Sequence, residues 1–183
     1  CQSTVYQLSS FPNKFNAKDK QSFTRFYPKR LNAEVLYDAF HEVTGTKTNF
    51  SGLPAGTRAV ELPDSGVNNY FLTVFGRPMS ESSCECERSN DASLAQSLHL
   101  LNSKEVLGKI SSNDGRAAML AKAKDQELEA RIRELYLRVY ARLPDKDEMG
   151  VAKGHIEKHK NSKEAFEDVI WALLNSKEFL FNH

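Results

Sequence analysis

The chain has 183 residues, of which 40% are hydrophobic and 27% are charged, and its formal net charge is +1. This length and apolar content are enough for one folded domain, and the near-neutral charge excludes a global basic field that would attract nucleic acid or anionic lipid. Every apolar run is shorter than the ~20 residues that a membrane-spanning helix needs. We therefore expect no nucleic-acid partner and no membrane span.

The first half of the sequence, residues 1 to about 90, predicts an irregular structure. Phe11-Pro12-Asn13 and Tyr27-Pro28 interrupt a lysine-rich stretch, which favours extended segments and loops. Thr46 to Gly66 is rich in Gly, Pro, Thr and Ser and predicts a long ordered loop. Tyr70 to Phe75 is aromatic and apolar, and it is the one run in the sequence that clearly predicts a β-strand.

One helix is predicted within this irregular half, from Ala33 to Thr44. Asn32 is a residue type that caps helix starts, and Gly45 is a typical terminator. His41 falls on the polar side of the helix, one turn from Asp38, so the expected role of its side chain is a surface hydrogen bond. The apolar face comprises Val35, Leu36, Ala39, Phe40 and Val43.

The second half, residues 91 to 183, predicts α-helices. A helix from about Ala92 to Leu101 is followed by shorter helical pieces at Ser103–Ile110 and Ala117–Ala123. Asp145 to Glu148 and Asn161 to Glu164 both have the pattern of a capping box, which marks the start of a helix. A longer amphipathic helix is predicted by apolar residues spaced three or four apart, namely Leu128, Ile132, Leu135, Val139 and Leu143.

These patterns together predict a fold of the mainly α class. We expect an irregular helical domain with long loops in the N-terminal half and a helical hairpin or three-helix unit at the C-terminus. Residues 163–174 should supply the last main helix, with an inward face comprising Phe166, Val169, Ile170, Leu173 and Leu174.

The strongest candidate for chemistry is the pair Cys84 and Cys86. In an extended segment, residues two apart project to the same face with Cα atoms ~6.5–7 Å apart, which is the upper edge of the disulfide range. Their thiolates would instead suit one soft metal ion, with His99 and His41 as further ligands. The sequence has no second cysteine pair to complete a zinc site. Structural packing, a metal site, a thiol redox pair and an inter-chain disulfide all remain open.

Several catalytic and cofactor motifs are absent from the sequence. There is no glycine-flanked serine elbow, no glycine-rich phosphate loop, and no Cys-x-x-Cys-His signature for covalent haem. We therefore expect no covalently bound cofactor, and a non-catalytic role is favoured over an enzymatic one.

An ordered set of sequence phrases resembles one family. The phrases are Thr4–Ser10, Arg25–Leu31, Ala33–Ala39, Phe71–Pro78, Cys84–Ser89, Ser93–Asn102, Glu134–Leu137 and Trp171–His183. Together they resemble the C-terminal domain of unknown function of large planctomycete proteins that also carry cytochrome-c-like domains. The resemblance spans nearly the whole chain.

The resemblance implies a context for the chain. Residues 1–183 would be a single domain, the C-terminal part of a larger parent protein that is extracytoplasmic, in the periplasm or at the cell surface. Haem would be bound only by neighbouring domains, which would be the partners of this one. An extracytoplasmic location also makes a disulfide between Cys84 and Cys86 permissible.

The leading functional hypothesis is a non-catalytic module that packs against, or docks, the cytochrome-c-like part of its parent. Its predicted interaction surface comprises Phe71, Phe75, Arg77 and Arg88. One alternative is a metal-binding or thiol redox site formed by Cys84 and Cys86 with His99 or His41. A further alternative, which rests on the secreted glycan-processing proteins of planctomycetes, is part of such an enzyme, with two carboxylates in a cleft.

Overall fold

The structure is a computed structural model, and it describes residues 2–19, 21–63, 66–78, 96 and 102–182. This part of the chain is mainly helical, as predicted. Eight α-helices have both ends within it: α1 (Ala33–Thr44), α2 (Tyr70–Val74), α3 (Lys104–Ile110), α4 (Arg116–Lys122), α5 (Leu128–Tyr140), α6 (Lys146–Lys158), α7 (Lys163–Leu174) and α8 (Lys177–Leu180). A 3₁₀-helix spans Ala59–Glu61. The helix predicted from Ala92 to Leu101 lies outside the described residues, apart from Gln96.

Two short strands connect the first part of the chain to the last. β1 (Lys29–Arg30) pairs antiparallel with β2 (Phe181–Asn182), with Lys29 opposite Asn182 and Arg30 opposite Phe181. The amide of Leu31 extends this pairing by donating to the carbonyl of Leu180 at 3.0 Å. The irregular N-terminal part is therefore joined to the C-terminal helices by backbone hydrogen bonds.

The start of α6 has the predicted capping box, whereas the one predicted from Asn161 to Glu164 is wrong, because Ser162 takes the capping position of α7. The carboxylate of Asp145 accepts from the amide of Glu148 at 2.7 Å, and the carboxylate of Glu148 accepts from the amide of Asp145 at 2.8 Å. This reciprocal pair is a complete capping box at the start of α6. Ser162 caps α7, because its hydroxyl accepts from the amide of Ala165 at 3.3 Å.

Helix α7 lies at the centre of the hydrophobic core. It packs against α1, α3, α4, α5, α6 and α8. Its inward face was predicted correctly, and its buried residues are Ala165, Phe166, Val169, Ile170, Leu173 and Leu174. Leu143 was assigned to the face of the preceding helix, but α5 ends at Tyr140, and Ala141 then adopts the left-handed conformation with φ 56°. Leu143 is consequently exposed instead of buried.

The predicted strand at Tyr70–Phe75 is wrong, because this segment forms helix α2. The side-chain oxygen of Asn69 accepts from the amide of Leu72 at 3.0 Å and caps the helix. Phe71, Leu72 and Phe75 all point into the core, a spacing that one face of a helix produces and a strand does not. The left-handed Gly76, with φ 82°, follows the helix end.

No helix in the described part of the chain combines the length and the hydropathy that crossing a lipid bilayer requires.

Candidate functional site

The predicted metal ligands are only partly within the described residues. His41 is described, whereas Cys84, Cys86 and His99 lie outside the described part of the chain. Within that part, no three His, Cys, Asp or Glu side chains are grouped closely enough to hold a metal ion. His41 is therefore the one predicted ligand whose surroundings the structure describes.

His41 is buried, so its predicted place on a polar surface is wrong. Its side chain is only 4% exposed, and its ring centroid lies 4.3 Å from that of Tyr37. The sequence assigned this side of α1 to solvent, but the chain folds back over it after Gly45. The amide of Thr46 donates to the carbonyl of His41 at 3.1 Å. Lys109 of α3 holds the same loop, with its ammonium donating to the carbonyl of Lys47 at 3.1 Å.

Asp38, the expected hydrogen-bond partner of His41, is used elsewhere. Its carboxylate accepts from the amides of Ala59 at 2.6 Å and Val60 at 3.2 Å, and so caps the 3₁₀-helix. The guanidinium of Arg58 lies 3.7 Å from the same carboxylate. Asp38 therefore fixes the loop after α1 and does not orient the imidazole.

The hydrogen bonding of His41 defines its tautomer. Nδ1 lies 2.9 Å from the carbonyl oxygen of Tyr37, and a carbonyl can only accept, so Nδ1 carries the proton. Nε2 is then the ring's lone-pair nitrogen, and it has no hydrogen-bond partner among the described residues. Burial lowers the pKa of His41, which outweighs the opposing effect of the Tyr37 carbonyl, and the nearby Lys109 lowers it further. The imidazole is consequently neutral at pH 7.

This environment predicts a loss of stability in mild acid. The pKa of His41 is below its unfolded value of about 6.5. The contribution of the neutral His41 imidazole to the free energy of unfolding is thus complete above about pH 6.5. It is lost as the pH falls towards the pKa of His41 in the folded state. We expect urea unfolding at pH 7.5 and 5.5 to show this fall, and we expect it to be smaller in His41→Gln. His159→Gln, at an exposed histidine, is the control. An equal pH dependence in the wild type and His41→Gln would contradict this assignment.

A groove of about 610 Å³ lies beside His41, between α1 and the loop that follows it. Its two carboxylates, those of Asp38 and Glu42, already have partners within the molecule. Asp38 caps the 3₁₀-helix, and Glu42 lies 3.0 Å from the guanidinium of Arg138. Nε2 of His41 is a buried polar atom of this site that lacks a hydrogen-bond partner in the described residues. The arrangement can accept one hydrogen bond or donate one lone pair to a ligand.

The predicted interaction surface is wrong for its two phenylalanines. Phe71 and Phe75 are each 1% exposed, and their rings stack on one another with centroids 4.4 Å apart. Helix α2 turns both side chains into the core together with Leu72, and this trio does not share one face of a strand. Arg77 is half-buried, with Nε 3.8 Å from a carboxylate oxygen of Glu34. Arg88 lies outside the described residues.

A second groove, of about 620 Å³, opens between α6 and α7 and was not predicted. Its floor is formed by the small buried residues Ala152 and Val169, and Val151 stands at its edge with 75% of its surface exposed. Trp171 lines it from α7. The sequence offered one signal of this groove that was not used, namely the apolar Val151 among the charged residues of α6.

One side-chain hydrogen bond connects the two helices beside this groove. Nε2 of His155 on α6 lies 3.0 Å from a carboxylate oxygen of Asp168 on α7. The other acidic lining residues are Asp147 and Glu148, and Glu148 is held by the guanidinium of Arg142 at 2.7 Å. The groove thus has an apolar floor and a polar, mostly acidic margin.

Comparison with known proteins identifies a family but no closer relative. The model of the PSD1 family, described as "Protein of unknown function (DUF1553)", matches residues 1–156. No curated protein matches the chain significantly, and no solved structure does. The matched residues include α1 to α5, the groove beside His41 and nearly all of α6. The predicted domain of unknown function is thereby confirmed, and the chain belongs to the PSD1 family of proteins of unknown function (DUF1553).

Proposed function

We propose that this chain is a non-catalytic, extracytoplasmic module that packs against the cytochrome-c-like part of a larger planctomycete protein. The observation that supports docking is the open apolar groove between α6 and α7. Exposed apolar surface next to a groove is typical of protein interaction sites. The identity of the partner and the location rest on the family resemblance of the sequence.

The shape of the groove suits a helix or an extended segment of the partner. Small side chains at Ala152 and Ala172 leave room for larger apolar side chains of a partner to enter between α6 and α7. Trp171 is half-buried and offers a large apolar contact of the kind that dominates binding energy. The pair formed by His155 and Asp168 borders the apolar floor and would give the contact a polar rim.

The test is binding of the cytochrome-c-like part, supplied separately, to variants of this chain. Val151→Asp places a charge at the apolar edge, and we expect it to weaken binding about tenfold or more. Leu137→Asp is the matched control, because Leu137 is an exposed apolar residue of α5 that does not line the groove. Isothermal titration calorimetry measures both affinities, and thermal melting verifies that both variants fold.

Two outcomes would contradict this proposal. One is equal affinity of Val151→Asp and the wild type for the cytochrome-c-like part. The other is a full-length parent protein whose haem spectrum, reduction potential and assembly are unchanged when this module is deleted.

A second candidate function is a metal or thiol redox site at Cys84 and Cys86 with His99 or His41. The observation that favours it is the lone pair of His41 Nε2, which has no partner in the described residues. Elemental analysis of the native protein tests for a metal, and thiol counting with and without reductant tests for a disulfide. Absence of metal together with free, unreactive thiols at Cys84 and Cys86 would eliminate this candidate.

The glycan-processing alternative gains no support from the groove beside His41, because the carboxylates of Asp38 and Glu42 both have partners within the molecule.

A further inference from the structure

The charge of the chain is distributed unevenly, although its total is close to zero. Residues 1–30 contain six Lys and Arg residues and one acidic residue, Asp19, which gives this segment a net charge of +5. The remaining 153 residues contain 19 basic and 23 acidic residues and have a net charge of −4. A local basic field is therefore present where the global charge predicted none.

The single acidic residue of this segment, Asp19, is hydrogen-bonded to residues of its own turn. The carboxylate of Asp19 accepts from the hydroxyl of Thr24 and from the amides of Ser22 and Gln21. These hydrogen bonds hold the pKa of Asp19 well below its usual range. Lys14 and Lys18 are exposed, and neither has a carboxylate partner among the described residues.

Three phenylalanines project from the same segment into solvent. Phe11 is 83% exposed, Phe15 is 86% exposed and Phe23 is 57% exposed. The ammonium of Lys14 lies 4.8 Å from the centroid of the Phe15 ring, so cation and aromatic ring are presented together. None of these phenylalanines lines either groove described above.

Hydrogen bonds across the segment place the three phenylalanines in one small lobe. We call residues 9–19 and 21–27 the N-terminal lobe. Its two ends are joined because the amide of Phe26 donates to the carbonyl of Ser9 at 3.2 Å. Its middle is joined because the side-chain amide of Asn16 donates to the carbonyl of Thr24 at 3.3 Å. Phe15 is next to Asn16 in the chain, and Phe23 is next to Thr24. Phe11 follows Ser10, whose carbonyl accepts from Arg25 at 3.3 Å.

We propose that the N-terminal lobe binds the surface of an anionic lipid bilayer. Phe11, Phe15 and Phe23 enter the interface between headgroups and acyl chains, and Lys14 and Lys18 contact lipid phosphates. A fluid interface accepts protruding aromatic rings without a complementary pocket, and it attracts flanking lysines electrostatically. A folded protein partner would have to supply a separate pocket for each of the three rings. The N-terminal lobe is a different surface from the groove between α6 and α7, so lipid binding by the lobe is independent of the proposed docking.

The experiment is co-sedimentation of the 183-residue chain with two kinds of vesicle. One kind contains phosphatidylcholine alone, and the other contains phosphatidylcholine with a minority of phosphatidylglycerol. We expect the chain to partition onto the anionic vesicles, and we expect high salt to reduce this binding. Phe11→Ser/Phe15→Ser should lower the partition coefficient about tenfold or more, because two apolar anchors are lost. Lys14→Glu/Lys18→Glu should lower it at least as much.

The matched control is Leu143→Ser. Leu143 is 57% exposed, as Phe23 is, and it lies outside the N-terminal lobe and both grooves, so this variant should partition like the wild type. Absence of binding to anionic vesicles would overturn the proposal. Equal partitioning of the Phe11→Ser/Phe15→Ser variant and the wild type would do so as well. Salt-dependent binding to duplex DNA, or to an acidic protein, without binding to anionic vesicles would assign the lobe to another class of partner and would also overturn it.

Discussion

Phe71→Ala should lower the free energy of unfolding by about 3–5 kcal/mol, the usual cost of removing a buried aromatic ring from a core. The Phe71 ring stacks on Phe75 and meets the edge of Tyr37, with centroids 5.2 Å apart. It also packs against Phe40, with centroids 6.2 Å apart. Truncation therefore leaves a cavity between α1 and α2, and the surrounding rings cannot all move to fill it.

The control for this variant is its neighbour in the chain. Tyr70 belongs to the same helix but is 68% exposed, so Tyr70→Ala should change the free energy of unfolding by less than about 1 kcal/mol. Urea unfolding monitored by circular dichroism measures both values. If Phe71→Ala and Tyr70→Ala changed the free energy of unfolding equally, the Phe71 ring would not be buried in the core. The interaction surface predicted from the sequence could then include Phe71.

Arg116→Met should lower the free energy of unfolding by about 2–4 kcal/mol, because it removes three hydrogen bonds of a buried guanidinium and leaves the Val43 carbonyl without a donor. Arg116 is buried, and its guanidinium donates to the carbonyls of Val43 at 3.0 Å and Glu42 at 3.1 Å. These carbonyls belong to the last turn of α1. The Glu42 carbonyl also accepts from the amide of Gly45 at 3.3 Å, whereas the Val43 carbonyl has no second donor among the described residues. The guanidinium also donates to the carboxylate of Glu134 on α5 at 3.2 Å. The Arg116 side chain of α4 thus caps the C-terminal end of α1 and connects this helix to α5.

Arg133→Met is the matched control for this variant. Arg133 is exposed and pairs with Glu129 one turn away at 3.2 Å, a contact worth only about 0.3–0.5 kcal/mol. Met preserves the aliphatic part of both arginines, so the comparison isolates the loss of the guanidinium. Equal unfolding midpoints in urea for the two variants would show that water hydrates the carbonyls of Glu42 and Val43. Arg116 would then not stabilise the C-terminal end of α1.

The parts of the fold that depend on local chemistry were predictable from the sequence. The start of α6 is determined by two residues three apart, Asp145 and Glu148, and the buried face of α7 follows from its apolar spacing alone. Gly45 ends α1 with φ 67°, the left-handed conformation that glycine adopts without strain. Each of these features is decided within one or two helical turns.

One error overlooked a local signal, and the others arose where the outcome depends on distant parts of the chain. The run at Tyr70–Val74 suits either a strand or a buried helix by composition, and the capping signal of Asn69 decides between them. The burial of His41 depends on the loop after Gly45 and on Lys109 of α3, neither of which is visible in the pattern of α1 itself. The groove between α6 and α7 exists only once the two helices are packed together, so no spacing within either helix reveals its shape.

The pairing of β1 with β2 bears on how the protein is made. Arg30 leaves the ribosome about 150 residues before its partner Phe181, which is a delay of roughly 8–30 s at ordinary rates of translation. Helix α1 forms within about a microsecond, but the helices that cover its apolar face, α5 and α7, emerge only late in this interval. Phe40 and Leu36 are therefore available to chaperones on the nascent chain for seconds. The pairing of β1 with β2 can consequently form only after Phe181 and Asn182 have been synthesised.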